Sequence, residues 1–452
     1  MKAFNYKYHQ IVVLGAGESG CGAAILAKKQ GLEVFVSDAG KITEKYKQLL
    51  LDNSITHEEL QHTEKRILQA DLIIKSPGIP EEVSMIKKIR KAGIDLISEI
   101  EFASGFTDAF LIAITGSNGK TTTASLLGHI MKNAGLDVCV AGNIGNSFAG
   151  ALAESDHDYF VLEISSFQLD DMIDFRPDIA VLLNITRNHL DRYQNSFEAY
   201  TAAKMRIIRN QTAADCLVFN ADDEIIQAEL TKCPANAKLF PISIKNELKT
   251  QGAFVSNNLI NIYVNQTKFN MTLEQLALQG KHNASNSMAA GLTAKLVDIR
   301  NETVKQSLSD FQNIAHRIEY VANVHGISYY NDSKATTVNA TWFALESMTK
   351  PVVWIAGGID KGNDYTSLLP LIRDKVKALI CLGLNNQKLI ETFAPYIEHI
   401  AEADNAMQAV LIASVLAQNG DVVLLSPTCA SFDLFESYED RGNQFKEAVN
   451  AL

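Results

Sequence analysis

Thr115-Gly116-Ser117-Asn118-Gly119-Lys120-Thr121-Thr122 lies between an apolar run, Phe110 to Ile114, and a segment that places Leu127, Ile130, Met131 and Ala134 on one helical face. A strand, a glycine-containing loop and a helix in that order form an anion site. Amide N–H groups at the helix start face the anion, a lysine can reach the β- and γ-phosphates of a nucleotide, and the following hydroxyl can bind magnesium. Lys120 and Thr121 occupy those two positions. The loop departs from the general G-x-x-x-x-G-K-[ST] spacing because its first glycine, Gly116, comes two residues late. The bland alternative is a tight strand-to-helix turn.

Glu163 ends a second apolar run and His189 follows a third, so both project near the carboxyl edge of the sheet that carries the loop, where ligands of open α/β sheets bind. A carboxylate, a hydroxyl and an imidazole can hold magnesium there, although imidazole is an unusual ligand for so hard a cation. A hydrogen-bonded structural histidine is the alternative for His189. Lys204, in Ala202-Ala203-Lys204-Met205, reads on its own as a solvent-exposed lysine, because lysine is so seldom buried.

Near the amino terminus, Gly15-Ala16-Gly17-Glu18-Ser19-Gly20 is a G-x-G-x-x-G loop, and Asp38 lies 23 residues beyond Gly15. That pattern fits a dinucleotide, which would make the chain a nicotinamide-dependent oxidoreductase fused to an ATP-binding unit. It fits an anionic uridine ligand equally well, given a second turn at Ser76-Pro77-Gly78 after the third strand-like run. Toward the carboxyl terminus, His316-Arg317, Asn331 to Thr336, Gly357-Gly358-Ile359-Asp360-Lys361 and Ser426 to Asp433 adjoin apolar runs. Charged and hydroxyl residues at neighbouring strand edges suit a small zwitterion or part of ATP. Singly, each is more often a cap or a solvated loop.

Strand-like runs that alternate with helical stretches position all of these groups. They are Ile11 to Leu14, Val34 to Val36, Leu72 to Ile74 and Leu96 to Ile97, then Phe110 to Ile114, Tyr159 to Ile164 and Ile179 to Ile185. Ile327 to Tyr330, Val352 to Ala356, Ala378 to Leu382 and Val422 to Leu425 follow a more β-like stretch, Lys238 to Thr272. Such alternation predicts parallel sheets covered by helices, and 452 residues exceed what one core fills. The composition, 47% hydrophobic and 21% charged, is that of an ordinary folded protein. A net charge of −11 argues against nonspecific nucleic-acid binding. No window approaches the roughly 20 apolar residues of a membrane span, and MKAFNYKYHQ lacks a signal-peptide core, so a cytoplasmic protein without membrane insertion is expected. The six cysteines form no C-x-x-C pair and read mostly as reduced core residues.

Taken together, these segments resemble the Mur ligase family along nearly the whole chain. TGSNGKTT is similar to that family's shortened phosphate loop, and VLEISSFQL (Val161 to Leu169), NITRNHLDRY (Asn184 to Tyr193), GKHNASNSMAA (Gly280 to Ala290) and AHRIEY (Ala315 to Tyr320) follow in the family's order. GAGESG, SPGI, AGNIG (Ala141 to Gly145), NDSKATT and above all LLSPTCASFDLFESYEDRGNQF (Leu424 to Phe445) resemble the branch that adds D-glutamate, and the D-N-P-R motif of the diaminopimelate- or lysine-adding branches is absent. Arg187-Asn188 before the histidine and Glu18 in the first glycine loop depart from the family pattern.

The resemblance implies an α/β protein of three domains: a Rossmann-like uridine-substrate domain over 1–100, a central P-loop ATPase-like domain with a mainly parallel sheet over 101–313, and a Rossmann-like amino-acid domain over 314–452. It implies ATP-dependent ligation of D-glutamate to UDP-N-acetylmuramoyl-L-alanine through an acyl phosphate, with ATP and Mg2+, in a chain that acts as a monomer. Another Mur-type or folylpolyglutamate-type ligase is the alternative within the class.

Carried over residue by residue, the resemblance assigns ATP to Ser117, Asn118, Gly119, Lys120, Thr121, Thr122, Thr123, Asn283, Asn286, Arg317 and Asp332. The UDP substrate falls to Ser19, Asp38, Ser76, Gly78, Asn143, Gln168 and His189, and D-glutamate to Thr336, Lys361, Ser431, Phe432 and Tyr438. Lys120, Glu163, His189 and Lys204 carry the chemistry, with magnesium on Thr121, Glu163, His189 and Lys204. Only this resemblance promotes Lys204, as a lysine that carbon dioxide carbamylates into a metal ligand.

Overall fold

The computed structural model describes residues 8–187, 190–265, 267–278, 280–311, 315–360 and 362–452. The chain divides into two compact units, Met1–Phe311 and Gln312–Leu452.

The first unit holds two sheets. Strands β1 (Gln10–Leu14), β2 (Glu33–Ser37), β3 (Thr56–Glu58), β4 (Leu72–Lys75) and β5 (Asp95–Ser98) form a parallel sheet in the order β3-β2-β1-β4-β5. The chain reverses direction across the sheet between β1 and β4, so the loops after these two strands, Gly15–Gly20 and Ser76–Gly78, flank the crevice where such sheets bind ligands. The Ser76 turn therefore follows the fourth strand, not the third, because the short β3 intervenes. Apolar side chains on both faces of β1 and β4 are buried, as expected when helices cover both sides.

The second sheet comprises β6 (Phe110–Thr115), β7 (Val138–Gly142), β8 (Tyr159–Glu163), β9 (Ile179–Leu182), β10 (Cys216–Asn220), β11 (Lys238–Ser243), β12 (Gly252–Ser256), β13 (Leu259–Val264) and β14 (Thr267–Thr272), in the order β14-β13-β12-β11-β10-β9-β6-β8-β7. β6 to β12 pair in parallel, and β13 and β14 add an antiparallel extension. In this register Ile114 lies beside Glu163, Thr115 beside Leu182, and Gly142 beside Glu163. The chain thus leaves β6, β7, β8 and β9 at one edge.

One continuous apolar core joins the helices of both sheets: Leu26 and Ala27 of the helix Glu18–Lys29 and Phe148 and Leu152 of the helix Phe148–Glu154 share it with Ile11, Phe160 and Leu162. The two helices approach so closely that a Cβ on Gly22 would meet the Ser147 hydroxyl at 2.2 Å.

The second unit is built on β15 (Glu319–Val324), β16 (Ile327–Asn331), β17 (Val352–Gly357), β18 (Val376–Leu382), β19 (His399–Ala403) and β20 (Val422–Thr428), ordered β15-β16-β20-β17-β18-β19. All neighbours are parallel except the β15–β16 pair. The chain leaves β16, β17 and β20 side by side, with Asn331 beside Leu425 and Gly357 beside Thr428. Of the six cysteines, Cys21, Cys381 and Cys429 are buried, Cys139 and Cys216 are half-buried and Cys233 is exposed, so fewer are core residues than expected. Among the described residues no helix is long and apolar enough to cross a membrane.

Candidate active site

The phosphate-type loop is built as its residue types require. Gly116 and Gly119 take positive φ angles of 158° and 82°, which turn the chain from β6 into the helix Lys120–Asn133. Asn184, just past β9, pairs its amide with both backbone groups of Asn118: its Oδ1 accepts from the Asn118 N–H at 2.8 Å and its Nδ2 donates to the carbonyl at 3.1 Å. The Ser117 hydroxyl donates to the Thr186 carbonyl at 3.0 Å and lies 2.9 Å from the Tyr200 hydroxyl. The Asn118 side-chain nitrogen is buried and unpaired by protein, a donor placed for a ligand. Asn286, on the helix Lys281–Leu296, sits against the loop, where a Cβ at Gly119 would fall 2.4 Å from its oxygen; its Nδ2 faces the Asn283 oxygen at 3.4 Å.

Lys120 folds back onto the loop, donating to the Gly116 and Ser117 carbonyls at 2.8 and 3.0 Å. Thr121 donates to Glu163 Oε2 at 2.7 Å, and Asn143 donates to Glu163 Oε1 at 2.9 Å. Three loops that are distant in sequence thereby meet at one carboxylate. Gln168 is buried, and its side chain closes a capping box with Ser165 at the start of the helix Ser166–Asp170. Thr122 and Thr123 are buried in the first turn of the loop's helix.

The reading of Lys204 as solvent-exposed is wrong: it is 1% exposed, and its ammonium donates to the Gly116 carbonyl at 2.9 Å beneath the loop. Burial holds its pKa well below the ordinary lysine range, the nearby Lys120 charge lowers it further, and Glu163 partly opposes both. The helix Phe197–Met205 brings it there, with Tyr200, Ala203 and Lys204 on its buried face. His189 and the adjacent Asn188 lie outside the described residues. Arg187 rests over the Phe197 ring at 5.5 Å. Among the described residues no group of three or more His, Cys, Asp or Glu could hold a metal ion. The oxygen donors brought together are Thr121 and Glu163, which suit a hard cation.

In the first sheet, Asp38 accepts from the Ala16 amide at 2.7 Å and the Gly40 amide at 2.8 Å, fixing the glycine loop. Ser19 lies in the first turn of the helix Glu18–Lys29, and Ser76 packs so tightly on Gly15 that a Cβ there would meet its hydroxyl at 2.7 Å. The Gly78 carbonyl accepts from Arg192 at 2.9 Å. The Glu18 departure has a structural use: its side chain takes the Tyr46 hydroxyl at 3.2 Å and the Ser147 amide at 3.4 Å, tethering the first helix to the helix Phe148–Glu154.

The second unit gathers its own polar cluster. Asp332 is buried, and burial pushes its carboxyl up to about 7 despite the Ser426 hydroxyl at 2.8 Å, the Ile318 amide at 3.2 Å and the charges of Arg317 and Arg441. Arg317 Nε is buried and unpaired by protein. Thr336 is half-buried, Ser431 buried, Phe432 68% exposed, and Tyr438 opens the helix Tyr438–Asn450 after the Ser437 cap. Lys361 lies outside the described residues. Sequence reasoning missed Arg441, whose buried guanidinium donates to the Ser333 hydroxyl and carbonyl at 2.9 Å each and to the Cys429 carbonyl at 3.3 Å. It holds the segments after β16 and β20 together. Its signal was a lone arginine inside an otherwise acidic helix start, Tyr438-Glu439-Asp440-Arg441.

Residues 10–85 match the model of the MurD N-terminal domain, 114–294 that of the Mur ligase middle domain, and 316–429 that of the Mur ligase glutamate ligase domain. The chain is 52% identical to a UDP-N-acetylmuramoylalanine–D-glutamate ligase of Christiangramia forsetii, with 98% of this chain and 99% of that protein covered. The chain belongs to the Mur ligase family. A second Mur ligase of that same name, from Bacteroides fragilis, is 54% identical over 98% of this chain and all of its own length. In fold the chain is similar to the Mur ligase UDP-N-acetylmuramate-alanine ligase MurC of Thermotoga maritima, with a TM-score of 0.61 at 18% identity over 98% of this chain and 99% of that one. For a Mur ligase, the first glycine loop belongs to the MurD-type N-terminal domain, and the oxidoreductase reading falls.

Proposed function

We propose that this chain joins D-glutamate to UDP-N-acetylmuramoyl-L-alanine, driven by ATP, in the synthesis of the peptidoglycan precursor. The observation that carries the reading is the cluster of Lys120, Lys204, Thr121 and Glu163 around Gly116, in a chain more than half identical to relatives bearing that activity's name over nearly their full length. The substrate carboxylate attacks the γ-phosphorus of ATP; a C–O–P linkage forms and the bond to ADP breaks. The amine of D-glutamate then attacks the acyl carbon, loses a proton, and expels phosphate as the amide forms.

The chain's part is to bring two anions together. Lys120 and the amides of Ser117, Asn118 and Gly119 neutralise the transferring phosphoryl group, with Thr122, Thr123, Asn283, Asn286, Arg317 and Asp332 as further ATP contacts. Thr121, Glu163, His189 and a carbamylated Lys204 would hold Mg2+, an assignment supported by the adjacent hydroxyl and carboxylate oxygens of Thr121 and Glu163. Bound there, the ion supplies charge neutralisation at the phosphates. The depressed pKa of Lys204 supplies the neutral amine that carbamylation needs. Ser19, Asp38, Ser76, Gly78, Asn143, Gln168 and His189 take the UDP substrate, and Thr336, Lys361, Ser431, Phe432 and Tyr438 take D-glutamate. We place the reaction in the cytoplasm and take the working form as a monomer, since every assigned residue lies on one chain.

Phosphate release from ATP and Mg2+ with UDP-N-acetylmuramoyl-L-alanine tests this reading, with D-glutamate, L-glutamate, meso-diaminopimelate and L-alanine offered separately. Release with D-glutamate alone is expected. Release with another amino acid keeps the ligation and overturns the assigned substrate; silence with all four at saturating bicarbonate overturns the reading.

A further inference from the structure

The turn Ser76–Pro77–Gly78 is gripped through its carbonyls. Arg192 Nη2 donates to the Pro77 carbonyl at 3.0 Å and Nη1 to the Gly78 carbonyl at 2.9 Å. The next carbonyl, of Ile79, accepts from Lys75 at 3.2 Å. Lys75 is itself buried and paired with Asp171 at 2.9 Å and Glu81 at 2.7 Å. Three consecutive carbonyls therefore face cationic side chains.

In a trans peptide the C=O and the following N–H point in opposite directions, and no described peptide bond is cis. Holding the Pro77 carbonyl therefore aims the Gly78 N–H away from Arg192. The Ile79 N–H is already used, donating to the Ser76 carbonyl at 3.1 Å.

Arg192 does not belong to the first sheet. It lies on the turn Leu190–Tyr193, immediately after His189 in sequence. Its guanidinium stands 4.8 Å from the centre of the Phe167 ring, next to Gln168, and Phe167 stacks on Tyr193 at 5.9 Å. Tyr193 in turn donates to Asp170 at 2.9 Å. One guanidinium thus joins the turn after β4, the helix after β8 and the segment after β9. A planar fork with fixed donors suits that task, and a single ammonium does not.

We propose that Arg192 is a positioning residue for the UDP-linked substrate: it fixes the Ser76–Gly78 turn, with the Gly78 N–H as a preset donor, in register with the segment that follows His189. This rests on the proposed ligase activity.

The test is steady-state kinetics of the full chain carrying Arg192→Ala, Arg192→Lys or Arg206→Ala. In Arg192→Ala the KM for UDP-N-acetylmuramoyl-L-alanine should rise at least about tenfold, while the KM values for ATP and D-glutamate stay within about twofold and kcat within about threefold, the pattern of lost substrate binding. Arg192→Lys should recover only part of that loss. Arg206→Ala, which frees Asp170 from its arginine partner but leaves Arg192 in place, should leave that KM within about twofold. An unchanged KM for the UDP substrate in Arg192→Ala overturns the inference, as does an equal rise in all three KM values with a lowered melting temperature. Absence of turnover by the unmodified chain would overturn the proposed function and this inference with it; turnover with an unshifted KM in the variant overturns this inference alone.

Discussion

Lys120 and Lys204 donate to the same backbone oxygen, the Gly116 carbonyl, from 2.8 and 2.9 Å. Two ammonium groups on one acceptor repel each other, and the one removed from water yields its proton more readily. Lys204 is that one. Burial first and the Lys120 charge second thus favour the neutral amine at Lys204 without a catalytic base, and the cost falls on the stability of the fold.

Lys204→Met should therefore separate stability from function. Methionine fills a similar volume without an ionisable group to desolvate, and removing that burden should stabilise the first unit by about 1–3 kcal/mol at pH 7. ATP-dependent phosphate release should fall by about two to three orders of magnitude. The folded pKa of Lys204 lies below its unfolded value, so between the two the unfolded chain binds more protons and the unmodified protein gains stability as pH rises. The advantage of the variant should accordingly shrink toward pH 10. Urea unfolding at pH 7 and pH 9.5 reads this directly, and a variant less stable at pH 7 would refute the account.

The sequence exposed the parts of this site that obey local rules. The loop between β6 and its helix follows from an apolar run, two glycines and a lysine, all between Phe110 and Lys120. The burial of Lys204 follows from no local rule, yet a trace existed: Lys204 lies four residues after Tyr200 and three before Ile207, both buried, so it sits on an apolar helical stripe. Rarity of buried lysine outweighed that trace. The strand Thr56–Glu58 escaped because three part-exposed residues carry no period, and Glu319–Val324 because its edge position leaves most of it half-exposed. Asp38 was read as a ligand contact from its spacing beyond Gly15 and from the family resemblance. Its two oxygens on the Ala16 and Gly40 amides show that the same spacing also serves to hold the loop.

Glu99 should make the first unit sensitive to alkaline pH. Its Oε1 accepts from the Ala149 amide, its Oε2 is buried without a partner, and burial raises the carboxyl from 4.5 to about 8, with Glu18 adding to the rise. The folded pKa is above the unfolded one, so the stability contribution is complete below about 4.5 and is lost as pH rises through about 8. Glu99→Gln keeps an acceptor for Ala149 and removes the titration. It should be more stable than the unmodified chain at pH 9 by on the order of a few kcal/mol. Parallel stability-versus-pH curves for the two proteins would exclude this role.

Asp332 should place an ascending limb near pH 7 in the profile of kcat/KM for ATP, because its carboxyl, raised to about 7, ionises there and the anion is the better acceptor for a nucleotide hydroxyl. In Asp332→Asn the limb should disappear, with activity at pH 8 lower by about tenfold. The unmodified chain should lose stability as pH rises through about 7, and the asparagine variant should not. A limb that persists unchanged in Asp332→Asn would assign it to another group.

Gly119 and Gly135 allow strain to be separated from crowding. Both have positive φ, 82° and 79°, but a Cβ at Gly119 meets the Asn286 oxygen at 2.4 Å whereas a Cβ at Gly135 meets nothing within 4 Å. Each substitution by alanine should cost about 1–2 kcal/mol from the left-handed backbone. Gly119→Ala must in addition displace Asn286 or the loop itself, and the affinity for ATP should fall by about a hundredfold, the scale seen when a preset donor array is disturbed. Gly135→Ala should keep ATP affinity within about twofold, because its strain is spent at the far end of the same helix. Nucleotide titration and thermal melts of both variants check the pair. Equal losses of affinity would mean that backbone conformation alone governs the loop, and that the packing of Asn286 against Gly119 contributes nothing to it.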